Sequence, residues 1–202
     1  MNKLLNQAVP FILVTLAAGQ PLPDRLNGRW RSTAVSPAGA SAIFEFHGNA
    51  LVDSYSALLA EGKYRLLGTD TILLQSGNRE EKQELEWDNQ DRARIEDEAA
   101  GKSIELVRIG KLVDSRNSLT GEWSTSREWN GRKYPARASF FPDGRAMWIT
   151  ILREEHGRYS ANGGNIRLEI SGRPVVEGKF AVTELRLTLP NPKGGEASFE
   201  RF

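Results

Sequence analysis

No cysteine occurs among the 202 residues. That absence excludes disulfide-stapled scaffolds, zinc ribbons, iron–sulfur centres, thiol nucleophiles and lipid attachment through cysteine. Histidine is scarce as well, limited to His47 and His156. Nor is charge of one sign in excess, since 27 Lys and Arg stand against 26 Asp and Glu. Binding a phosphate backbone needs a basic face or stripe, so nucleic acid is not an expected partner. Catalytic signatures are missing too: there is no Gly-x-Ser-x-Gly elbow, no His-Glu-x-x-His and no phosphate-cradling glycine loop. The carboxylates Glu80 and Glu81, and Glu96, Asp97 and Glu98, sit in highly charged stretches without the apolar surroundings that tune a catalytic acid. Glu154 and His156 share a strand face, but two ligands in a charged turn make a poor metal site. The chain is therefore expected to be non-catalytic, with no cofactor and no metal.

What is present begins with a leader. Residues 1–19 run from Lys3 through an apolar stretch, Val9 to Ala18, to the small residues Ala17 and Gly19 ahead of Gln20. A charged, then apolar, then small-residue order is that of a secretory signal peptide. The run is interrupted by Pro10 and is shorter than the roughly 20 apolar residues a spanning helix needs. Cleavage removes Lys3 from the 27 basic residues and leaves 26 of each sign, with no transmembrane span. The expected location is secreted or periplasmic.

The remainder is written twice. Leu26-Asn27-Gly28-Arg29-Trp30 returns as Leu119-Thr120-Gly121-Glu122-Trp123, 93 positions on, and Gly62-Lys63-Tyr64 returns as Gly157-Arg158-Tyr159, 95 positions on. Phe44 and Gly48 match Phe140 and Gly144, Ile72 and Leu74 match Ile166 and Leu168, Trp87 matches Phe180, and Leu106-Val107-Arg108 matches Phe199-Glu200-Arg201. This order gives a unit over 26–109, a linker over 110–118 and a second unit over 119–202. Within each unit the apolar period is two: Ile166, Leu168 and Ile170 alternate with Arg167 and Glu169. Turn formers such as Pro142-Asp143-Gly144 and Asn162-Gly163-Gly164-Asn165 separate the runs. The pattern predicts an all-β fold of two tandem antiparallel meanders, each of seven or eight short strands. Arg92–Lys102 has helix-forming composition, yet its register against Glu184–Gly194 predicts half of a hairpin.

A meander hides its edges by closing into a barrel. Gly-x-Trp on the first strand, Phe…Gly at a hairpin, Gly-x-Tyr on a later strand and an Arg on the last strand together resemble the lipocalin-like branch of the calycin superfamily. The resemblance implies that each unit is a small barrel whose first-strand Trp is covered by its last-strand Arg as a structural plug. Carried onto this chain it pairs Trp30 with Arg108 and Trp123 with Arg201. The units are shorter than a full lipocalin and lack its Thr-Asp-Tyr motif and disulfide, which implies a narrower interior or a filled one. A joint β structure made from both units is the alternative topology.

Candidate binding residues fall in two groups. Tyr64, Tyr159 and Trp148 are candidates to line a barrel interior that takes up a small, partly apolar or glycan-like molecule. The second group marks where the units disagree. Trp30 to Phe44 spans 14 positions but Trp123 to Phe140 spans 17, so the second unit carries an insertion. There Arg127, Trp129, Arg132, Lys133, Tyr134 and Arg137 interleave aromatics with cations, a composition suited to docking an envelope protein. The expected function is that of an exported, non-catalytic binding protein of the cell envelope, taking up a small ligand or docking a partner through 127–137.

Overall fold

A computed structural model of the protein describes residues 22–48, 50–97, 101–112 and 117–202. The leader expected over 1–19 lies outside the described residues, as does 113–116 of the linker. A short helix, α1 (Leu22–Leu26), precedes seven strands of the first segment: β1 (Gly28–Val35), β2 (Ala40–His47), β3 (Leu51–Leu66), β4 (Thr71–Ser76), β5 (Arg79–Asn89), β6 (Arg92–Asp97) and β7 (Lys102–Ile109). Eight follow in the second: β8 (Gly121–Trp129), β9 (Arg132–Phe140), β10 (Arg145–Asn162), β11 (Asn165–Ile170), β12 (Val176–Lys179), β13 (Ala181–Val182), β14 (Arg186–Pro190) and β15 (Glu196–Arg201). The all-β, antiparallel meander predicted by the alternation is what forms. Arg92–Asp97 is a strand despite its helix-forming residues, because Ala93 and Ile95 fill an interior on one face of it.

All fifteen strands belong to one sheet, and a further pairing of β10 with β3 folds it into ring-like closures. β3 and β10 are long, at 16 and 18 residues, and run antiparallel from Lys63↔Arg145 to Leu51↔Arg158. At one end of this ribbon β3 continues into β4 and β10 into β9, so β3–β4–β5–β6–β7–β8–β9–β10 closes by backbone hydrogen bonds into ring A. At the other end β3 pairs with β2 and β10 with β11. Ring B therefore comprises β1, β2, the start of β3, the end of β10, β11, β12, β14 and β15. Between β12 and β14 no ladder is formed; Val176 and Phe180 pack with Leu187 and Leu189 instead.

One extra residue in β10 makes the ribbon serve both rings. The register slips between Ile151 and Arg153, leaving Leu152 without a partner on β3. A bulge reverses the side-chain alternation beyond it. Ala146 and Trp148 therefore join the core of ring A, whereas Tyr159 joins the core of ring B. The opposite face of the ribbon carries a third core of Ile43, Tyr55, Ala57, Met147, Ile149 and Ile151. A charged seam borders it. Arg29 forks onto Glu122 at 2.6 and 2.7 Å and reaches Glu45 at 3.1 Å, and Arg137 contacts Glu45 at 2.9 Å and the Tyr55 hydroxyl at 3.1 Å. Burial opposes the charge on Arg29, but the two carboxylates prevail and raise its pKa. Burial likewise pushes the Tyr55 hydroxyl far above the usual phenol range.

The strand partners correct the expectation that each segment closes on itself. β1 pairs with β15, and β7 with β8, so each ring takes its first strands from one segment and its last strands from the other. The plug pairs are corrected with them. Arg201 lies 4.2 Å from the ring centroid of Trp30, and Arg108 lies 4.1 Å from that of Trp123. Both indoles are wholly buried, and each donates its N–H to a backbone carbonyl four residues earlier, Leu26 or Leu119. Each arginine caps the strand ends around its indole: Arg108 donates to the carbonyls of Gln90, Ser118 and Thr120, and Arg201 to those of Arg25, Asn27 and Glu184. An arginine lies over each indole, but the partners are exchanged between the two segments.

Candidate functional site

Ring A is sealed at one end and open at the other. Counting inward-facing residues away from the plug, β8 runs Trp123, Thr125, Arg127, β7 runs Arg108, Leu106, Ile104, and β5 runs Trp87, Leu85, Gln83, Glu81. Each step of two residues moves about 7 Å along a strand. The first residues pack around Trp123, Arg108 buried and Trp87 half-buried, and the middle ones meet Ile72, Ile95, Phe140 and Tyr64 in a filled core. The last ones surround a cavity of about 230 Å³. Its apolar wall is Leu74, Ile104, Ala146 and Trp148, and its polar lining includes Gln83, Glu81, Lys63, Arg79 and Arg127. Trp148 is half-buried, meets Phe140 edge-on at 5.8 Å between ring centroids, and has the Arg127 guanidinium 5.8 Å from its own centroid.

Two polar groups of this interior have no hydrogen-bond partner among the described residues. Gln83 is only 8% exposed, and its Oε1 accepts no hydrogen bond. Thr125 Oγ1, one step below Arg127, is buried without a partner too. Buried polar atoms are usually satisfied, so an orphan carbonyl at the lining of a cavity seeks a donor.

The candidate residues from the sequence separate into distinct places. Trp148 and Arg127 meet at the cavity, a union of the two groups not foreseen in the sequence. Tyr64 and Tyr159 do not reach it. The Tyr64 ring is in the core of ring A, its hydroxyl bound to Asn117, Thr120 and the Phe141 carbonyl at 2.9 to 3.1 Å. Tyr159 is in the core of ring B, donating to the Gly48 carbonyl at 2.9 Å. The 127–137 stretch is no loop but the tip of the β8–β9 hairpin, turned by Asn130 and Gly131 at φ of 48° and 72°. Positive φ at both central residues is the type I′ geometry that suits the twist of a hairpin. Trp129 and Tyr134 stand half-buried against each other at 6.1 Å, with Arg132 and Lys133 exposed at the tip. Arg137 is turned into the seam below.

The structure also gathers the two histidines. His47 Nε2 lies 2.8 Å and His156 Nδ1 2.6 Å from the two oxygens of Asp53, joining β2, β3 and β10 on an exposed face. His156 therefore faces Asp53 rather than forming a metal pair with Glu154, and among the described residues no group of three or more His, Asp or Glu is arranged to hold a metal. Burial works against the Asp53 charge, yet its hydrogen bonds to His156 and His47 hold its pKa below the ordinary carboxylate value; the bond to Asp53 and the nearby Glu154 raise that of His156. The clasp is complete between these two values. It weakens as pH falls through the lowered pKa of Asp53 and as pH rises through the raised pKa of His156. Asp53→Asn is expected to bring the His156 titration, followed by its imidazole NMR resonances, down to the ordinary imidazole range. An unchanged midpoint would show that Asp53 does not set it.

No known protein family, curated protein or solved structure matches the chain. Among the described residues no helix is long and apolar enough to cross a membrane.

Proposed function

We propose that the protein is an exported, non-catalytic binding protein of the cell envelope, built from two lipocalin-like repeats that exchange halves, and that it takes up a small, partly apolar molecule in the mouth of ring A. The observation that carries this reading is the cavity of about 230 Å³ against Trp148, at the open end of a ring whose other end is sealed by Trp123 and Arg108. Ligand sites are typically concave, largely apolar and furnished with a few placed polar groups, and this mouth has those features in a small volume. The apolar surface of ring B, in contrast, is occupied by its own Phe44, Phe46, Phe180 and Phe199.

Native mass spectrometry of the chain purified from its own envelope tests the proposal, with the denatured mass recorded from the same sample. The expected result is a native excess mass that vanishes on denaturation and is missing from Trp148→Ala. A native mass equal to the bare chain in the wild type counts against uptake in the ring. That outcome would favour a second reading, docking of an envelope protein through the hairpin tip, supported by the half-exposed Trp129–Tyr134 pair flanked by Arg132 and Lys133.

A further inference from the structure

We infer that the molecule held at the mouth of ring A is a flat, apolar acid of about one ring, with its anionic group at the rim against Arg127 and an N–H or O–H donor at its buried end toward Gln83. The inference rests on the reading of this mouth as a binding site and adds the chemistry of the occupant.

The charges around the cavity give the first half. Of the two carboxylates, Glu81 is engaged by Arg79 at 2.6 Å and Glu61 by Arg31. Among the described residues Arg127 makes no ion pair, so the inward-facing lining carries a cation with no carboxylate assigned to it. Arg127 is also half-buried with its guanidinium near the Trp148 ring. A guanidinium presents a fork of donors to a carboxylate while its plane rests on an aromatic. The apolar wall of Trp148, Ile104 and Leu74 then accommodates a flat body beneath that fork.

Gln83 gives the second half. Its amide N–H₂ points toward Glu81 Oε2 at 3.4 Å, and the opposite amide orientation would set a carbonyl against a carboxylate. The orientation thus leaves Oε1 as the unpaired group, and this oxygen only accepts. An occupant with a buried ether or ester oxygen would place acceptor against acceptor; a phenol, amide or amine would complete the bond. Gln83 lies one two-residue strand step below Glu81, about 7 Å, so a single ring spans from the rim to the carbonyl.

Calorimetric titration of the full chain with three probes separates these features: 4-hydroxyphenylacetate, its methyl ester, which removes the charge, and 4-methoxyphenylacetate, which removes the donor. The hydroxy acid is expected to bind at least tenfold more tightly than either, and its affinity to fall with added salt. Arg127→Gln should close the gap between acid and ester, and Gln83→Met, close in volume, should close the gap between hydroxy and methoxy acid. Equal or tighter binding of the ester would overturn the anionic class, and equal binding of the methoxy acid would overturn the donor, while the site itself would stand. Failure of all three probes would overturn the chemistry inferred for the occupant. An excess native mass in the same preparation would then still support uptake in ring A, and its absence would remove both.

Discussion

Gly157→Ala is expected to lower the melting temperature by roughly 6–12 °C, corresponding to about 3 kcal/mol in a chain of this size. The new Cβ would lie 2.3 Å from the carbonyl oxygen of Glu169 and 2.8 Å from Ile170 Cα, backbone atoms of the adjoining strand that no rotamer change can move aside. Gly157 pairs with both Val52 and Ile170, where β10 turns from the central ribbon into ring B. Gly62 occupies the corresponding corner of ring A, where an added Cβ would meet the Gln75 carbonyl oxygen at 2.3 Å. Gly62→Ala should therefore lose a similar amount. Gly77 supplies the contrast, with φ of +58° and nothing within 4 Å of an added Cβ, so Gly77→Ala should cost only about 1–2 kcal/mol of backbone strain. Melting of Gly157→Ala within a degree or two of the parent would contradict the close approach of β10 and β11.

Trp30→Ala is expected to cost about 3–5 kcal/mol, the usual range for removing a buried large aromatic side chain. The indole is fully buried under Arg201, packs with Phe44 and Phe199 in the core of ring B, and holds Leu26 through its N–H. Arg201→Ala should also destabilise the protein, because it strips donors from the carbonyls of Arg25, Asn27 and Glu184. Arg201→Lys keeps the charge but loses the fork, and should fall between. A double-mutant cycle distinguishes the plug from two independent losses. Trp30 and Arg201 should couple by about 0.5–2 kcal/mol, whereas Trp30 and Arg108, which cap different rings, should be additive within about 0.5 kcal/mol. The reverse pattern would restore the pairing that the sequence resemblance implies.

The two cycles mark where sequence legibility ends. Alternation in Ile166–Ile170, the turn residues and the Gly-x-Trp and Leu-x-Arg or Phe-x-Arg segments suffice for an all-β meander with capped indoles. They do not choose the partner, because β7 and β15 carry the same pattern and would each satisfy β1 locally. The choice is made by contacts between distant strands, including the Arg29–Glu122 fork and the packing of Ile43 and Tyr55 on Met147 and Ile149. Gly62 and Gly157 are visible as repeated glycines, but the carbonyls that exclude a side chain there belong to β4 and β11. The candidate site is legible in fragments. Trp148 and Arg127 stand out as an aromatic and a cation, whereas Gln83 sits unremarked in a charged stretch; its signal is a polar residue on the inward row that continues through Leu85 and Trp87. Tyr64 and Tyr159 attract attention by repetition, and that repetition reflects matching positions in two cores.

The exchange of strands is what brings Leu74, Gln83 and Ile104 of the first segment to Arg127 and Trp148 of the second, so the site depends on it. Engineered cysteines test it against a background free of cysteine. Arg31 and Glu200 are directly opposed on β1 and β15, while Val107 is the counterpart of Glu200 on β7. Mild oxidation of Arg31→Cys with Glu200→Cys should give an intramolecular disulfide, seen as faster migration on a non-reducing gel and a loss of two mass units. Arg31→Cys with Val107→Cys should remain reduced as a monomer. Rapid cross-linking of the second pair with none in the first would contradict the exchanged rings.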